Sequence, residues 1–471
     1  MKTNRSIAVL VAMSTALALS AQTTFDAAKV YEEELNGTAR YVGMGGAMGA
    51  FGSDASVMSH NPAGIGTYRQ GDINVSLSFF GSSVNTDPLV TSKAPALVNG
   101  RTFYSHNRKS DLTLVPIDNF SFVLCGKGDY DSYLNFGVSF RRTLKMIREL
   151  DYIDSFFDAD GYEVYREYKD HQTNEVKSFD INLSYNHFDK LYFGMTLGLL
   201  DTDTWSEGYF YDYYPKGSHP DFPDGLDYTV VDKMNTAEGK GWNMAFGMIV
   251  RPVSALRFGA ALKTPTLYRQ KLEYADYLYA LAGEKKDGTE KYKNSVKYNF
   301  ASPFTLDLSA GLTVGQTALG FEYEMHFVER TSLSIGNSKM HSQGAIDMKN
   351  YSKIRVGIEQ NIDKFSLRAG YNFTESMFKD GAGIYLGDSD FNRERSGTDF
   401  QVDRLGETRD FTCGLGYCSA PNNSDTQFYF DVAFVHRIRN SVVNVNEYIE
   451  DVDVNYQYKS NKVLLTFGWN F

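Results

Sequence analysis

After its first 25 positions the sequence contains no apolar run of about 18 residues, which excludes transmembrane helices. Its 3 cysteines, Cys125, Cys413 and Cys418, are too few and too scattered for a disulfide framework. Lys and Arg number 47 against 58 Asp and Glu, a net charge of −11 that argues against nucleic acid as a partner. The 8 histidines are dispersed, and H-E-x-x-H, C-x-x-C and G-x-S-x-G do not occur, so no catalytic residue, metal ligand or cofactor is assigned. An enzyme stays as a minor alternative, because catalytic groups are recognised by geometry and not by sequence order.

What the chain does have is aromatic residues, at 14% of the sequence, and a repeated alternation of apolar and polar positions. Residues 1–21 form a unit of their own. Lys2 and Arg5 precede an apolar core from Ile7 to Leu19, and Ala18-Leu19-Ser20-Ala21 is a small-residue cleavage zone, so this stretch is expected to be a secretory signal. From Asp72 onward the period becomes two. Leu134, Phe136, Val138 and Phe140 share one face while Asn135, Gly137, Ser139 and Arg141 share the other. Leu319, Phe321, Tyr323 and Met325 alternate in the same way with Ala318, Gly320, Glu322 and Glu324, which implies a polar interior.

Fourteen such segments can be counted, at roughly 72–81, 117–125, 133–142, 178–187, 190–200, 240–250, 255–264, 303–313, 316–325, 351–361, 363–373, 409–419, 425–437 and 461–471. Each is close to the nine to eleven residues with which a tilted strand crosses a bilayer. The gaps between them alternate strictly between long (82–116, 143–177, 201–239) and short (126–132, 188–189, 251–254). Outer-membrane barrels have this asymmetry of long outer loops and short periplasmic turns. The expected fold is therefore all-β: a transmembrane antiparallel β-barrel of about 14 strands over residues 71–471, in the outer membrane of a Gram-negative bacterium. Its last strand ends on Phe471, the aromatic terminus expected to engage the barrel-assembly machinery, and outer-membrane lipid is the partner of its outer face.

Residues 22–70 do not fit the strand pattern. Between Asn36 and Tyr68 the chain reads NGTARYVGMGGAMGAFGSDASVMSHNPAGIGTY, which is rich in small residues and can bury little surface unless something encloses it. Gly45 and Gly46 permit positive φ, and the Asn61 side chain, ahead of Pro62, can bond nearby backbone. A phosphate loop is excluded, because these glycines follow no strand and no lysine accompanies them. Met44-Gly45-Gly46-Ala47 after Gly43, Asp54 in its acidic-small stretch, and Asn61-Pro62-Ala63-Gly64, all ahead of a fourteen-stranded barrel, resemble the FadL/TodX family of outer-membrane transporters for hydrophobic compounds. The resemblance implies an N-terminal hatch inside the lumen and passive uptake of hydrophobic solutes, of the long-chain fatty acid or aromatic hydrocarbon class.

The same resemblance places an outer apolar groove in the third and fourth long loops. Trp205, Tyr209, Phe210, Tyr211, Tyr213 and Tyr214 crowd the third, and Leu272, Ala275 and Tyr279 in the fourth are spaced like one face of a helix. These are the candidate substrate-capture residues for a hydrophobic small-molecule ligand. The competing reading is an occluded barrel that acts as a docking scaffold for secreted or surface proteins. An apolar lumen favours transport, whereas charged networks around Glu322, Glu324, Arg355 and Arg368 favour the scaffold.

Overall fold

The structure, a computed structural model, describes residues 29–471 except 31, 88–95, 99–100, 105, 130, 158–159, 221–222, 224–225, 283–284, 329–332, 336–337, 341–347, 380–400, 422–425 and 447–450. The expected signal segment, residues 1–21, lies outside the described residues.

Fourteen wall strands follow in chain order. They are β1 (Asp72–Asp87), β2 (Thr113–Lys127), β3 (Tyr133–Phe157), β4 (Glu163–His187), β5 (Leu191–Tyr214) and β6 (Leu226–Val253). β7 runs as Leu256–Lys263 and Leu267–Ala282, and β8 as Lys285–Ala301 and Phe304–Val314. β9 (Thr317–Phe327), β10 (Tyr351–Ile362), β11 (Phe365–Thr374), β12 (Thr408–Cys418), β13 (Gln427–Asn446) and β14 (Asp451–Asn470) complete the wall. Each strand pairs antiparallel with its sequence neighbour, and β1 pairs with β14 from Asp72↔Asn470 to Asp87↔Asn455, which closes the barrel. Gly71 and Phe471 exchange two backbone hydrogen bonds of 2.8 and 2.9 Å and extend that seam by one residue.

Burial is inverted relative to a water-soluble protein. Leu134, Phe136, Leu319, Phe321 and Leu367 are exposed, while their alternate neighbours Asn135, Ser139, Arg141, Glu322, Glu324 and Arg368 are buried. Apolar groups on the outer face and satisfied polar groups within are what a wall surrounded by lipid requires, because closure leaves no ladder donor unpaired.

The alternation locates every strand, but the long connections are largely not loops. β3 and β4 pair continuously from Tyr133↔Asn186 to Phe157↔Glu163, so the stretch expected to be the loop 143–177 is a hairpin continuing the wall. Residues 201–214 and 226–239 likewise extend β5 and β6, which pair as far as Tyr214↔Leu226. Beyond the lipid a strand needs only its hydrogen-bonded ladder and not an apolar face, so the alternation fades where the strand does not. The helical spacing of Leu272, Ala275 and Tyr279 is corrected for the same reason. All three lie in β7, laddered to β6 and β8 on either side.

Candidate functional site

The N-terminal segment lies against the inner wall. It consists of a short helix, α1 (Ala39–Gly43), and two 3-10 turns, Ala55–Ser59 and Pro62–Thr67. Thr38 caps α1, accepting from the Tyr41 amide. The Asp54 carboxylate caps the first 3-10 turn through the Ser56 amide at 2.9 Å and accepts from the Thr38 hydroxyl at 2.5 Å. Asn61 caps the second, and its amide nitrogen also donates to Gly49 O at 2.8 Å. Gly45 and Gly46, at φ of 63° and 81°, turn the chain after α1.

Elements this short leave many backbone groups unpaired, and wall side chains take them up. The Glu322 carboxylate accepts from Gly49 N at 2.9 Å, and the Asn135 amide donates to Ile65 O at 2.8 Å and Tyr68 O at 3.0 Å. Ser184 Oγ donates to Pro62 O at 2.7 Å, Thr196 Oγ1 to Met58 O at 2.7 Å, Arg257 to Phe51 O at 2.7 Å and Thr412 Oγ1 to Gly43 O at 3.1 Å. The donors and acceptors come from strands around the barrel, so the segment is folded by the wall that encloses it.

Where the backbone of the segment comes closest to strands β8 to β11, the wall has glycine. Gly311, Gly320, Gly357 and Gly370 are register partners across β8, β9, β10 and β11 and form one row. A Cβ on Gly320, Gly357 or Gly370 would lie closer than 3.0 Å to the backbone of Ala47, Met44 or Gly45. Gly194 on β5 stands in the same relation to Pro62 and Ala63. The close approach places carbonyl oxygens of the segment over glycine Cα–H groups, a weak but repeated attraction.

Ion pairs complete the docking. Arg40 makes a fork of 3.0 and 3.0 Å with Glu359, which also accepts from Arg368 at 2.6 Å; Arg368 reaches Asp431 at 2.5 Å. Glu32, Glu33 and Glu34 are three consecutive carboxylates with three wall cations: Arg439 at 2.5 Å, Lys263 at 2.6 Å and Arg437 at 3.2 Å. Burial opposes ionisation of Glu33, but Lys263 and then Lys353 outweigh it and hold its carboxyl well below the usual range. Arg355 binds Glu322 and, at 2.6 Å, Glu324. The lumen at this level is thus a charged network around the very residues Glu322, Glu324, Arg355 and Arg368.

Farther from the short turns, the inward positions become apolar. Leu144, Val176, Leu200, Tyr268, Leu272 and Phe300 form a buried cluster that Val30 of the N-terminal segment joins. Of the residues expected to capture substrate, Leu272 lies in this cluster and Ala275 is buried nearby on β7. Trp205, Tyr213 and Tyr214 lie on β5 and form ring contacts, Trp205 with His171 at 5.1 Å, Tyr213 with Tyr165 at 5.5 Å and Tyr214 with His219 at 4.9 Å. Trp205 alternates with the buried Thr202 and Ser206 and so faces away from Leu272. Tyr209, Phe210, Tyr211 and Tyr279 are strand residues whose side chains lie outside the described ones.

Three solved structures resemble the chain over nearly its whole length. A FadL homologue from Pseudomonas aeruginosa is 13% identical, with 93% of this chain and 99% of that one aligned at a TM-score of 0.59. The toluene transporter TodX of P. putida is 12% identical over 93% and 99% at 0.56, and the toluene transporter TbuX of Ralstonia pickettii 14% over 93% and 99% at 0.51. The fold is that of the FadL/TodX barrels. No family model matches the sequence, and no curated protein matches it. The FadL/TodX likeness therefore reaches architecture, while side chains that do the work must be argued from this chain.

Proposed function

We propose that the chain is an outer-membrane channel for passive uptake of hydrophobic solutes, of the long-chain fatty acid or aromatic hydrocarbon class, with residues 36–68 as its hatch. The reading rests on one observation: an apolar inward cluster around Leu144, Leu200, Tyr268 and Leu272 lies beyond a segment docked by reversible polar contacts. Two of the similar solved structures are named as toluene transporters. The cavity beside the cluster, lined by Val30, Val176, Leu200, Tyr268 and Pro303 with Lys263 and Glu33 at its edge, is narrow. Passage of a hydrocarbon chain past it requires the N-terminal segment to move. Trp205 and Tyr213 would serve as an outer aromatic surface rather than as part of the inner path, whereas Tyr214 is buried.

A second reading is favoured by the charged network itself. Arg40, Glu359, Arg368 and Asp431 bolt the segment to the wall, as a permanently occluded barrel serving as a docking scaffold would need. Neither reading involves catalysis. The outer face would contact outer-membrane lipid, and the strand ending at Phe471 would engage the assembly machinery.

The test is uptake of a labelled long-chain fatty acid by cells producing the intact barrel or a variant lacking residues 36–66, with surface insertion verified. Saturable uptake that changes when the segment is absent supports the channel. Absence of uptake through a correctly inserted barrel favours the scaffold, and its surface partners would then be isolated by pull-down.

A further inference from the structure

Among the described residues several buried polar atoms of the lumen have no hydrogen-bond partner, and at Asp307 both carboxylate oxygens are among them. Asp307 on β8 is 3% exposed, and neither oxygen of its carboxylate has a hydrogen-bond partner. Its nearest cation, Arg355, stands 3.9 Å away, beyond hydrogen-bond range, because that guanidinium is already engaged by Glu322 and Glu324. Asp307 is the register partner of Glu324, so the two carboxylates project to the same side of the wall.

Asp307 lines a small cavity with His60, Glu324, Ser59 and Thr305, bounded on the other side by the Glu33–Lys263 pair. The space suits one ion or water molecule and not an organic solute. At its edge, ligand atoms from His60, Glu322 and Glu324 lie within 4.8 Å of one another. Around it four carboxylates (Glu33, Asp307, Glu322, Glu324) face four cations (Lys263, Lys353, Arg355 and Arg141, whose guanidinium lies 3.3 Å from His60 Nε2), and Asp307 is the carboxylate left without a hydrogen-bonded partner.

We propose that this cavity is a divalent-metal site, with His60, Glu322, Glu324 and Asp307 as its ligand set. One imidazole nitrogen with carboxylate oxygens suits a borderline transition ion such as Zn2+ or Mn2+ better than a purely oxygen-seeking ion. Three of the ligands stand on the wall strands β8 and β9, and the fourth, His60, stands on the N-terminal segment between its two 3-10 turns. The bound ion adds a second attachment of His60 to the wall, through Nδ1, beside the Arg141 guanidinium that already stands 3.3 Å from His60 Nε2. The site is independent of which solute the barrel passes.

The experiment uses the full-length barrel purified in detergent, stripped with chelator and titrated with Zn2+ and, separately, Mn2+. Folding is verified by heat-modifiable electrophoresis. The expected result is one equivalent of metal per barrel, with affinity reduced at least tenfold in Asp307→Asn and in His60→Gln, and slower proteolysis within residues 36–67 when metal is bound. Absence of stoichiometric binding by the folded wild-type barrel overturns the site, as does binding unchanged in both variants. An infrared band of a protonated carboxyl that persists in saturating metal and disappears in Asp307→Asn also overturns it, because a proton then fills the role given to the ion.

Discussion

If the N-terminal segment is held by close approach to a glycine row, a single methyl on that row should loosen it. Gly357→Ala is the sharpest case. Its Cβ would lie 2.9 Å from Met44 C and closer still to Met44 O, and both are backbone atoms of a turn that cannot rotate aside. Its register partners Gly320 and Gly370 carry neighbouring parts of the same turn, so Met44 cannot slide along the wall without meeting them. Overpacking of this kind costs about 1–3 kcal/mol. Borne by docking alone, this is roughly a 5- to 150-fold shift toward the undocked segment. The β10 ladder is untouched, and alanine is no worse than glycine in a strand. Gly81→Ala in β1 is the control, since the nearest atom to its Cβ is Leu112 Cδ1 at 3.8 Å. Limited proteolysis of the folded barrels reads the difference as the cleavage rate within residues 36–67. Equal rates for Gly357→Ala, Gly81→Ala and the parent barrel would refute the glycine-row reasoning.

Other substitutions separate the remaining contacts. Arg355→Met leaves Glu322 and Glu324 buried without their shared guanidinium and should cost about 3–5 kcal/mol, seen as a lower temperature of heat modification on gels; an unchanged temperature would contradict the pairing. Asn61→Asp keeps the cap on Ala63 but loses the donor to Gly49 O, so docking should weaken by about 1–3 kcal/mol and proteolysis accelerate, whereas Gly66→Ala should leave it unchanged. Deleting Phe471 removes two backbone bonds to Gly71 and a ring stacked 6.1 Å from Phe122. Pulse-chase electrophoresis should show slower appearance of the folded barrel, and a normal rate would separate Phe471 from assembly.

The wall was legible in the sequence because lipid outside and polar contents inside impose a strict two-residue period, as at Leu134–Arg141 and Leu319–Glu324. That period ends with the lipid, so the continuation of β3 to Phe157 and of β5 to Tyr214 left no apolar signature. Leu272, Ala275 and Tyr279 fit a helical spacing by sequence alone, and only the two flanking ladders decide for a strand. The capping side chains of Asp54 and Asn61 act on backbone two residues away and could be anticipated. Glu32, Glu33 and Glu34 could not, because their partners Arg439, Lys263 and Arg437 stand hundreds of residues distant and no local period marks them. The wall glycines carry only part of the signal. Glycine inside a strand marks a close backbone approach, but the sequence does not say whose backbone approaches.

For solute to pass, the N-terminal segment must leave the wall, and a reversible staple between the two decides whether it does. A Cβ on Gly43 would lie 3.4 Å from Gly414 Cα, and one on Gly414 would lie 3.3 Å from Gly43 Cα, so a Gly43→Cys, Gly414→Cys pair is within disulfide reach. In a background with the native cysteines replaced by serine, fatty-acid uptake would be measured with the pair oxidised and again after reduction. Uptake should be blocked by the disulfide and restored when it is reduced. Equal uptake in both states, with cross-linking complete, would contradict it.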